Sequence, residues 1–288
     1  RGNSIYTIVD GPSWTEAEAN SNKLGGHLVT INNKEEYSWG ANNVWSSQNY
    51  TANGHDKETM FYLGFNDKDI EGSYQWSSGE ETEWNNLTDL IHSQNWFSQQ
   101  HYFDGWDYGM LFPNNDFVND QNRGNIVLMD DNGSFYRNSG SNIVGIAETK
   151  FIRRGDSAYV IVEGPSWEEA EANANRLGGH LVTINDAEEN QFIYNYFKED
   201  ILKNYYTELW IGYSDSDEEG KWKWINESND IYTNWRELEP NNSGGTEDYA
   251  LIAFHSDGTW NDGNYINQDI KGIAEIKLAP NNAPEGTL

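Results

Sequence analysis

Residues 239 to 262 bring together five side chains rich in oxygen: Glu239, Asn241, Glu247, Asn261 and Asp262, three carboxylates and two amides. Such oxygens are hard donors, and calcium is the hard cation that collects about six to eight of them, often on loops. The chain has no cysteine, which excludes disulfides, thiolate metal sites and cysteine nucleophiles together and disfavours zinc. His55, His92, His101 and His255 have no metal-ligand spacing, while His27 and His180 stand at matching places beside strand-like runs, where a structural role is expected. There is no glycine-rich phosphate loop and no nucleophile elbow. A glycosidase would need two carboxylates with room for a sugar between them, whereas a close-set acidic cluster suits chelation. The expectation is therefore a binding protein and not an enzyme.

The composition narrows the partners. With 47 Asp and Glu against 18 Lys and Arg, the formal charge is −29, so the chain lacks the cations that neutralise phosphates and is not expected to bind nucleic acid. Anionic membranes would repel it, and no apolar run reaches the roughly 18 residues of a spanning helix. A strongly acidic surface suits salty or calcium-containing surroundings, where bound cations offset self-repulsion. Thirteen Trp, seventeen Tyr and eleven Phe are too many for a disordered acidic chain and indicate packed cores.

The elements that must carry the acidic segment are written twice. Residues 11–32 and 164–185 are the same 22-residue sequence except at Thr15/Glu168, Ser21/Ala174 and Lys23/Arg176, so the chain is a tandem duplication. Each copy opens on a strand-like run ("SIYTIVDG", "SAYVIVEG") and closes on another ("IVGIAE", "IKGIAE"). In each, Ser13 or Ser166 precedes Glu16 or Glu169 by three residues, a capping box that starts a helix. Trp167, Ala170, Ala174 and Leu177 form its apolar face, and Gly178–Gly179 ends it. A second helix is expected to begin at Asn185 with Glu188, with Phe192, Ile193 and Phe197 as its stripe. A buried strand follows ("LWIGYSD", "FYLGFND"), then a long polar loop and further strands.

This order, with "WIG" near the middle, "EPN" in the loop and "WND" before the last strand, resembles the C-type lectin-like domain over nearly all of both repeats. The resemblance implies an α+β fold of two tandem domains, each with two helices, a small antiparallel sheet and a long loop region. The boundaries expected are 1–152, 153–279 and a linker over 280–288. It also implies that Glu239, Asn241, Glu247, Asn261 and Asp262 encircle one Ca2+, with Pro240 in a cis peptide. The same five residues would hold a sugar through two neighbouring hydroxyls, and "EPN" implies equatorial 3- and 4-hydroxyls, as in mannose, glucose or, in a related orientation, fucose. Asp215, Glu219, Asn242 and Asp248 stand where the family places an auxiliary calcium, although Asn242 replaces a more usual Asp. Trp235 and Trp260 are expected beneath the site. A protein surface or ice is the alternative ligand, since a fold does not fix what it binds.

The first copy departs from the pattern. "FPNN" is aligned here with "EPNN", so that Phe112 replaces a carboxylate, and "FYRN" with "WND", so that Tyr136 and Arg137 replace two ligands. The expectation is a degenerate site, with Asp67 and Glu71 keeping the auxiliary spacing as ordinary turn residues. An insertion of roughly twenty residues carries Trp84, Trp96 and Trp106 and reads as a self-packed cover. Missing cysteines point to a bacterial branch of the family, and linker-like ends point to a larger multidomain chain, extracellular or at the cell surface. In that setting the sequon at Asn132 carries no meaning.

Overall fold

The computed structural model describes residues 1–45, 59–70, 73–82, 107–112, 125–129, 143–203, 208–253, 257–264 and 270–279. Glu71, Trp84, Trp96, Trp106, Asn132, Tyr136, Arg137, His55, His92, His101, His255 and the 280–288 tail lie outside the described residues. The chain forms two compact units: one of Ser4–Asn22 and Gly26–Thr149, the other of Lys150–Leu288 with Arg1–Asn3 and Lys23–Gly25.

The N-terminal unit runs β1 (Ser4–Val9), α1 (Trp14–Lys23), β2 (His27–Leu28), α2 (Lys34–Asn43), β3 (Met60–Asn66), β4 (Gln75–Trp76), β5 (Tyr108–Phe112), β6 (Asn125–Met129) and β7 (Ile143–Lys150). The C-terminal unit repeats it as β8 (Ile152–Arg154), β9 (Ser157–Glu163), α3 (Trp167–Arg176), β10 (His180–Leu181), α4 (Ala187–Lys203), β11 (Glu208–Ser214), β12 (Lys223–Trp224), β13 (Tyr249–Ala253), β14 (Trp260–Gly263) and β15 (Lys271–Lys277). The sheets are larger than the sequence implies and mixed. Their strand orders are β1-β7-β3-β5-β6 and β14-β13-β11-β15-β9-β8, with short strands on the side, and β3 with β7 and β11 with β15 run parallel.

The helix caps explain where the helices start. Ser166 accepts from the Glu169 N–H at 3.2 Å, and Ser13 does the same for Glu16. The second helix starts one residue later than expected. Asp186, not Asn185, accepts the Glu189 N–H at 2.7 Å, and Glu189, not Glu188, reaches back to the Asn185 N–H at 2.9 Å. The reason is burial: Glu189 is 1 % exposed and also takes the Tyr159 hydroxyl, so it is the acid that tertiary structure holds in place.

The glycine of "WIG" marks a crossing. A Cβ on Gly212 would lie 2.5 Å from the Leu181 carbonyl oxygen, and one on Gly64 would lie 2.5 Å from that of Leu28. Only hydrogen fits there, so β10 and β2 can lie flat on the central strands. The histidines next to them are structural, as expected. His180 Nδ1 is 2.6 Å from Glu171 and His27 Nδ1 is 2.6 Å from Glu18, while the second oxygen of each glutamate accepts the Leu181 or Leu28 N–H at 2.8 Å.

The C-terminal core packs Val182, Ile184, Ile193, Leu209, Ile211 and Ile252 around Trp224 and Trp260. Trp260 is fully buried and donates its indole N–H to Asn190 at 2.8 Å. Asn190 in turn donates to the Gly258 carbonyl at 2.9 Å. Helix α4 thereby fixes the β13–β14 turn on which the acidic segment rests.

Candidate functional site

The site is built from one strand and the loop that folds back to it. In the β13–β14 ladder Asn261 pairs with Leu251 and Asp262 with Ala250, so these two residues sit on rigid backbone in mid-strand. Both are buried, Asp262 to 1 % exposure. The incoming loop docks beside them: Trp260 N–H donates to the Asn234 carbonyl at 2.8 Å and Arg236 N–H to the Trp260 carbonyl at 2.9 Å. Trp235 packs 5.8 Å from Trp260, ring to ring, so the two tryptophans form the floor, as expected.

From there the loop turns. Glu239 N–H donates to the Arg236 carbonyl at 3.0 Å, and Glu239–Pro240 is cis, as the resemblance implied. The N–H groups of Asn241 and Asn242 donate to the two oxygens of Asp262 at 3.1 and 2.7 Å. Asn242 adopts the left-handed conformation (φ 44°), which an asparagine tolerates better than most residues. Its side-chain oxygen accepts the Glu247 N–H at 3.0 Å, and the Glu247 carboxylate accepts the Ser243 N–H at 2.5 Å.

Sequence reading missed Arg236. Its guanidinium donates to Glu239 Oε1 and to Asn261 Oδ1, both at 3.0 Å, while Asn241 donates to the other Glu239 oxygen at 2.5 Å. Four of the five sequence-predicted residues are thus drawn together around or beside one arginine. Glu247 joins through the loop backbone instead. An arginine three residues before Glu239, in a stretch otherwise acidic, was the available signal.

The auxiliary group is also drawn together in part. Asp215 N–H donates to the Asp248 carbonyl at 3.1 Å, Asp215 Oδ2 accepts the Gly220 N–H at 2.8 Å, and Asn242 donates its amide to Glu219. Asp215 Oδ1 is buried with no protein hydrogen-bond partner. Burial first, then the charges of Asp248 and Asp262, push the Asp215 carboxyl above its ordinary value. Glu219 moves the same way, from desolvation and then from Asp215, Asp248 and Asp262. Glu247 is raised too, by burial against the Ser243 N–H and then by Asp262 and Glu239.

These like charges face one another short of counter-charge, and every donor in the set is oxygen, so the residues fit calcium in kind. As they stand, no three His, Asp or Glu side chains among the described residues converge closely enough to hold a metal ion. Arg236, Asn241 and backbone N–H groups occupy the oxygens instead.

The N-terminal unit corrects the sequence alignment. There Asn66 pairs with Tyr108 as Ser214 pairs with Tyr249, and Leu111 pairs with Ile126 as Ile252 pairs with Trp260. Strand β5 therefore corresponds to β13, and Phe112 to Ala253, not to Glu239. "FPNN" follows the strand that "EPNN" precedes. Counting along β6, the positions of Asn261 and Asp262 hold Val127 and Leu128, so Tyr136 and Arg137 are not their counterparts. Two positions that the resemblance assigns to ligands are apolar in this unit, a stronger departure than the aligned motifs suggested.

The sequence profile described as the Lectin C-type domain matches residues 10–106 and 163–268. The chain belongs to the C-type lectin domain family. Its C-type lectin units are 33 % identical to a perlucin-like protein of Mytilus galloprovincialis over 101 residues, 35 % of this chain and 63 % of that protein. They are 38 % identical to the human C-type lectin domain family 10 member A over 120 residues, 39 % of this chain and 34 % of that protein. The chain thus spans less than two thirds of either relative. Among solved structures, the mouse scavenger receptor C-type lectin carbohydrate-recognition domain is 30 % identical, with a TM-score of 0.39 over 45 % of this chain and 95 % of that one. Among the described residues, no helix is long and apolar enough to cross a membrane.

Proposed function

We propose that the C-terminal C-type lectin unit is a calcium-dependent glycan-binding module for sugars with equatorial vicinal hydroxyls, of the mannose, glucose or fucose type. The observation that carries this reading is the gathering of Glu239, Asn241, Asn261 and Asp262 at one point on the buried β14 strand. Glu239, Asn241, Glu247, Asn261 and Asp262 would hold the principal Ca2+. Asp215, Glu219, Asn242 and Asp248 would hold the auxiliary one.

When bound, calcium supplies open coordination positions that a vicinal diol can fill. The chain's part is to flank that diol with acceptors and donors: Glu239 and Glu247 accept hydroxyl protons, and the amides of Asn241 and Asn261 donate to hydroxyl oxygens. Arg236 has to release Glu239 and Asn261 before they can serve, so the guanidinium acts as an internal competitor for the cage. The domain limits are 1–152 and 153–279, with 280–288 as linker, and the parent is read as a multidomain, extracellular or surface protein such as a bacterial adhesin. One monosaccharide offers few contacts, so single-site affinity is weak and adhesion relies on multiple copies.

A second reading is a protein ligand on the same calcium-organised loop. Leu238, next to Glu239, is 86 % exposed, and Ile231 on the same loop is 94 % exposed; both are apolar surface that a monosaccharide would leave uncovered. Retention on mannose resin, with and without chelator, separates the two. Elution by chelator supports the sugar reading; no retention together with a calcium-dependent protein pull-down supports the second; retention in excess chelator refutes the mechanism.

A further inference from the structure

The duplication supplies an internal comparison at a place that shares Asp248 with the proposed auxiliary calcium group and none of the five principal residues. In the N-terminal unit, Trp14 donates its indole N–H to the Leu63 carbonyl at 2.7 Å and packs 4.7 Å from Tyr108, ring to ring. The Lys68 ammonium lies over this pair, 5.1 Å from the Trp14 ring centroid. A cation at that distance is held by the negative face of the ring.

In the C-terminal unit the same aromatic pair recurs. Trp167 donates to the Ile211 carbonyl at 2.8 Å and stacks 5.0 Å from Tyr249. Both tyrosines hold the same place in the sheet, Tyr108 opposite Asn66 and Tyr249 opposite Ser214. Two residues beyond Asn66 is Lys68; two residues beyond Ser214 is Ser216, exposed and uncharged, whose hydroxyl hydrogen-bonds the Tyr249 side chain. At the same aromatic pair there is a cavity of about 290 Å³, lined by Trp167, Glu168, Trp210, Asp248, Tyr249 and Asn264.

The charge pattern reverses with the missing lysine. Where the N-terminal unit has Thr15 and Lys68, the C-terminal unit has Glu168 and Ser216 at the matching positions. Glu168 accepts the Tyr249 hydroxyl at 2.5 Å. Although burial pulls the Glu168 carboxyl upward, hydrogen bonds from Tyr249 and from the backbone outweigh it and hold the group below its ordinary value, hence charged. Two carboxylates beside a tryptophan and a tyrosine attract a cation twice over, by ion pairing and through the ring face. The volume suits a side chain, being at the small end of ligand pockets, which run from roughly 300 Å³.

We propose that this cavity binds a primary alkylammonium group on a straight chain, as a lysine side chain of a partner protein presents it. The N-terminal unit fills the equivalent place with its own Lys68, and the C-terminal unit leaves it for a guest.

The test uses the full chain in EDTA, so that it stands apart from the calcium reading. Indole N–H resonances are followed by NMR during titration with Nα-acetyl-lysine methylamide at constant ionic strength, with 1-pentanol and glucosamine as neutral-chain and amino-sugar comparisons. The expected result is a saturable shift of a few indole signals with a dissociation constant on the order of millimolar, absent with pentanol and weaker with glucosamine. Glu168→Gln should weaken binding at least about fivefold, and Ser216→Lys, which places the lysine back in the chain at an exposed position, should abolish it. Shifts that stay linear, that pentanol or glucosamine match, or that persist in Ser216→Lys at the wild-type melting temperature overturn the proposal.

Discussion

Replacing Arg236 by methionine separates a cage that welcomes a metal from one that is only a structural arginine site. The methionine keeps the apolar stem and removes the charge. The guanidinium makes two contacts of 3.0 Å, to Glu239 and to Asn261. Hydrogen bonds to charged groups are worth about 1.5–3 kcal/mol when dry, and exposed ion pairs about 0–1 kcal/mol. The arginine side chain is 38 % exposed while that of Glu239 is 6 % exposed, so a figure of about 1 kcal/mol near the lower range applies. That amount has two consequences of opposite sign. In EDTA, Arg236→Met should lower stability by about 1 kcal/mol, a fall in melting temperature of a few degrees. In a calorimetric titration, calcium no longer displaces a resident cation, and its affinity should rise about fivefold, since 1.4 kcal/mol corresponds to a factor of ten. An affinity that is unchanged or weaker, alongside the lower apo stability, would refute the competition and leave Arg236 a structural residue.

Other consequences follow from the same geometry. Glu239→Gln and Asn261→Asp each spoil the pairing of acceptor and donor around the diol and should abolish calcium-dependent retention on mannose resin while leaving the melting temperature in EDTA within a few degrees of wild type. Asn190→Ala leaves the buried Trp260 indole N–H without its acceptor and the Gly258 carbonyl with the Asn234 amide alone, and should cost about 1–3 kcal/mol in denaturant unfolding; because β14 carries Asn261 and Asp262, calcium affinity should fall with it. The hydrogen bond that the His27 ring donates to Glu18 raises its pKa above the ordinary 6.5, against the opposing effect of burial. Its stabilising share is therefore complete below about pH 6.5 and is lost as pH rises through the higher folded value. The half-exposed ring limits the effect to under about 1 kcal/mol, read by hydrogen exchange of the α1 and β2 amides between pH 6 and 8, and flattened in His27→Gln.

Much of this architecture was legible in the sequence because it rests on local signals. The duplicated 22 residues gave two units, and the capping boxes at Ser13 and Ser166 gave the first helices, since both use contacts within one turn. The second helix was misplaced by a residue because Asp186 and Asn185 are both good caps, and the choice was made by Tyr159 and Arg154 meeting Glu189 from elsewhere in the chain. The five oxygen-bearing residues of the candidate site were legible as types and spacing. Arg236 was not, because a search for oxygen donors passes over a cation. The N-terminal unit misled for a different reason. "FPNN" resembles "EPNN" in letters, but strand register is set by pairing across tens of residues, and it is the pairing of Tyr108 with Asn66 that moves Phe112 to the far side of β5.

The measurement closest to the central claim is a crystal of the full chain soaked in millimolar calcium with methyl α-mannoside. The expected result is an ion bonded to Glu239, Asn241, Glu247, Asn261 and Asp262, two sugar hydroxyls on that ion, and Arg236 turned away from Glu239 and Asn261. Those side chains still clasped around the guanidinium, with no ion among them, would contradict it.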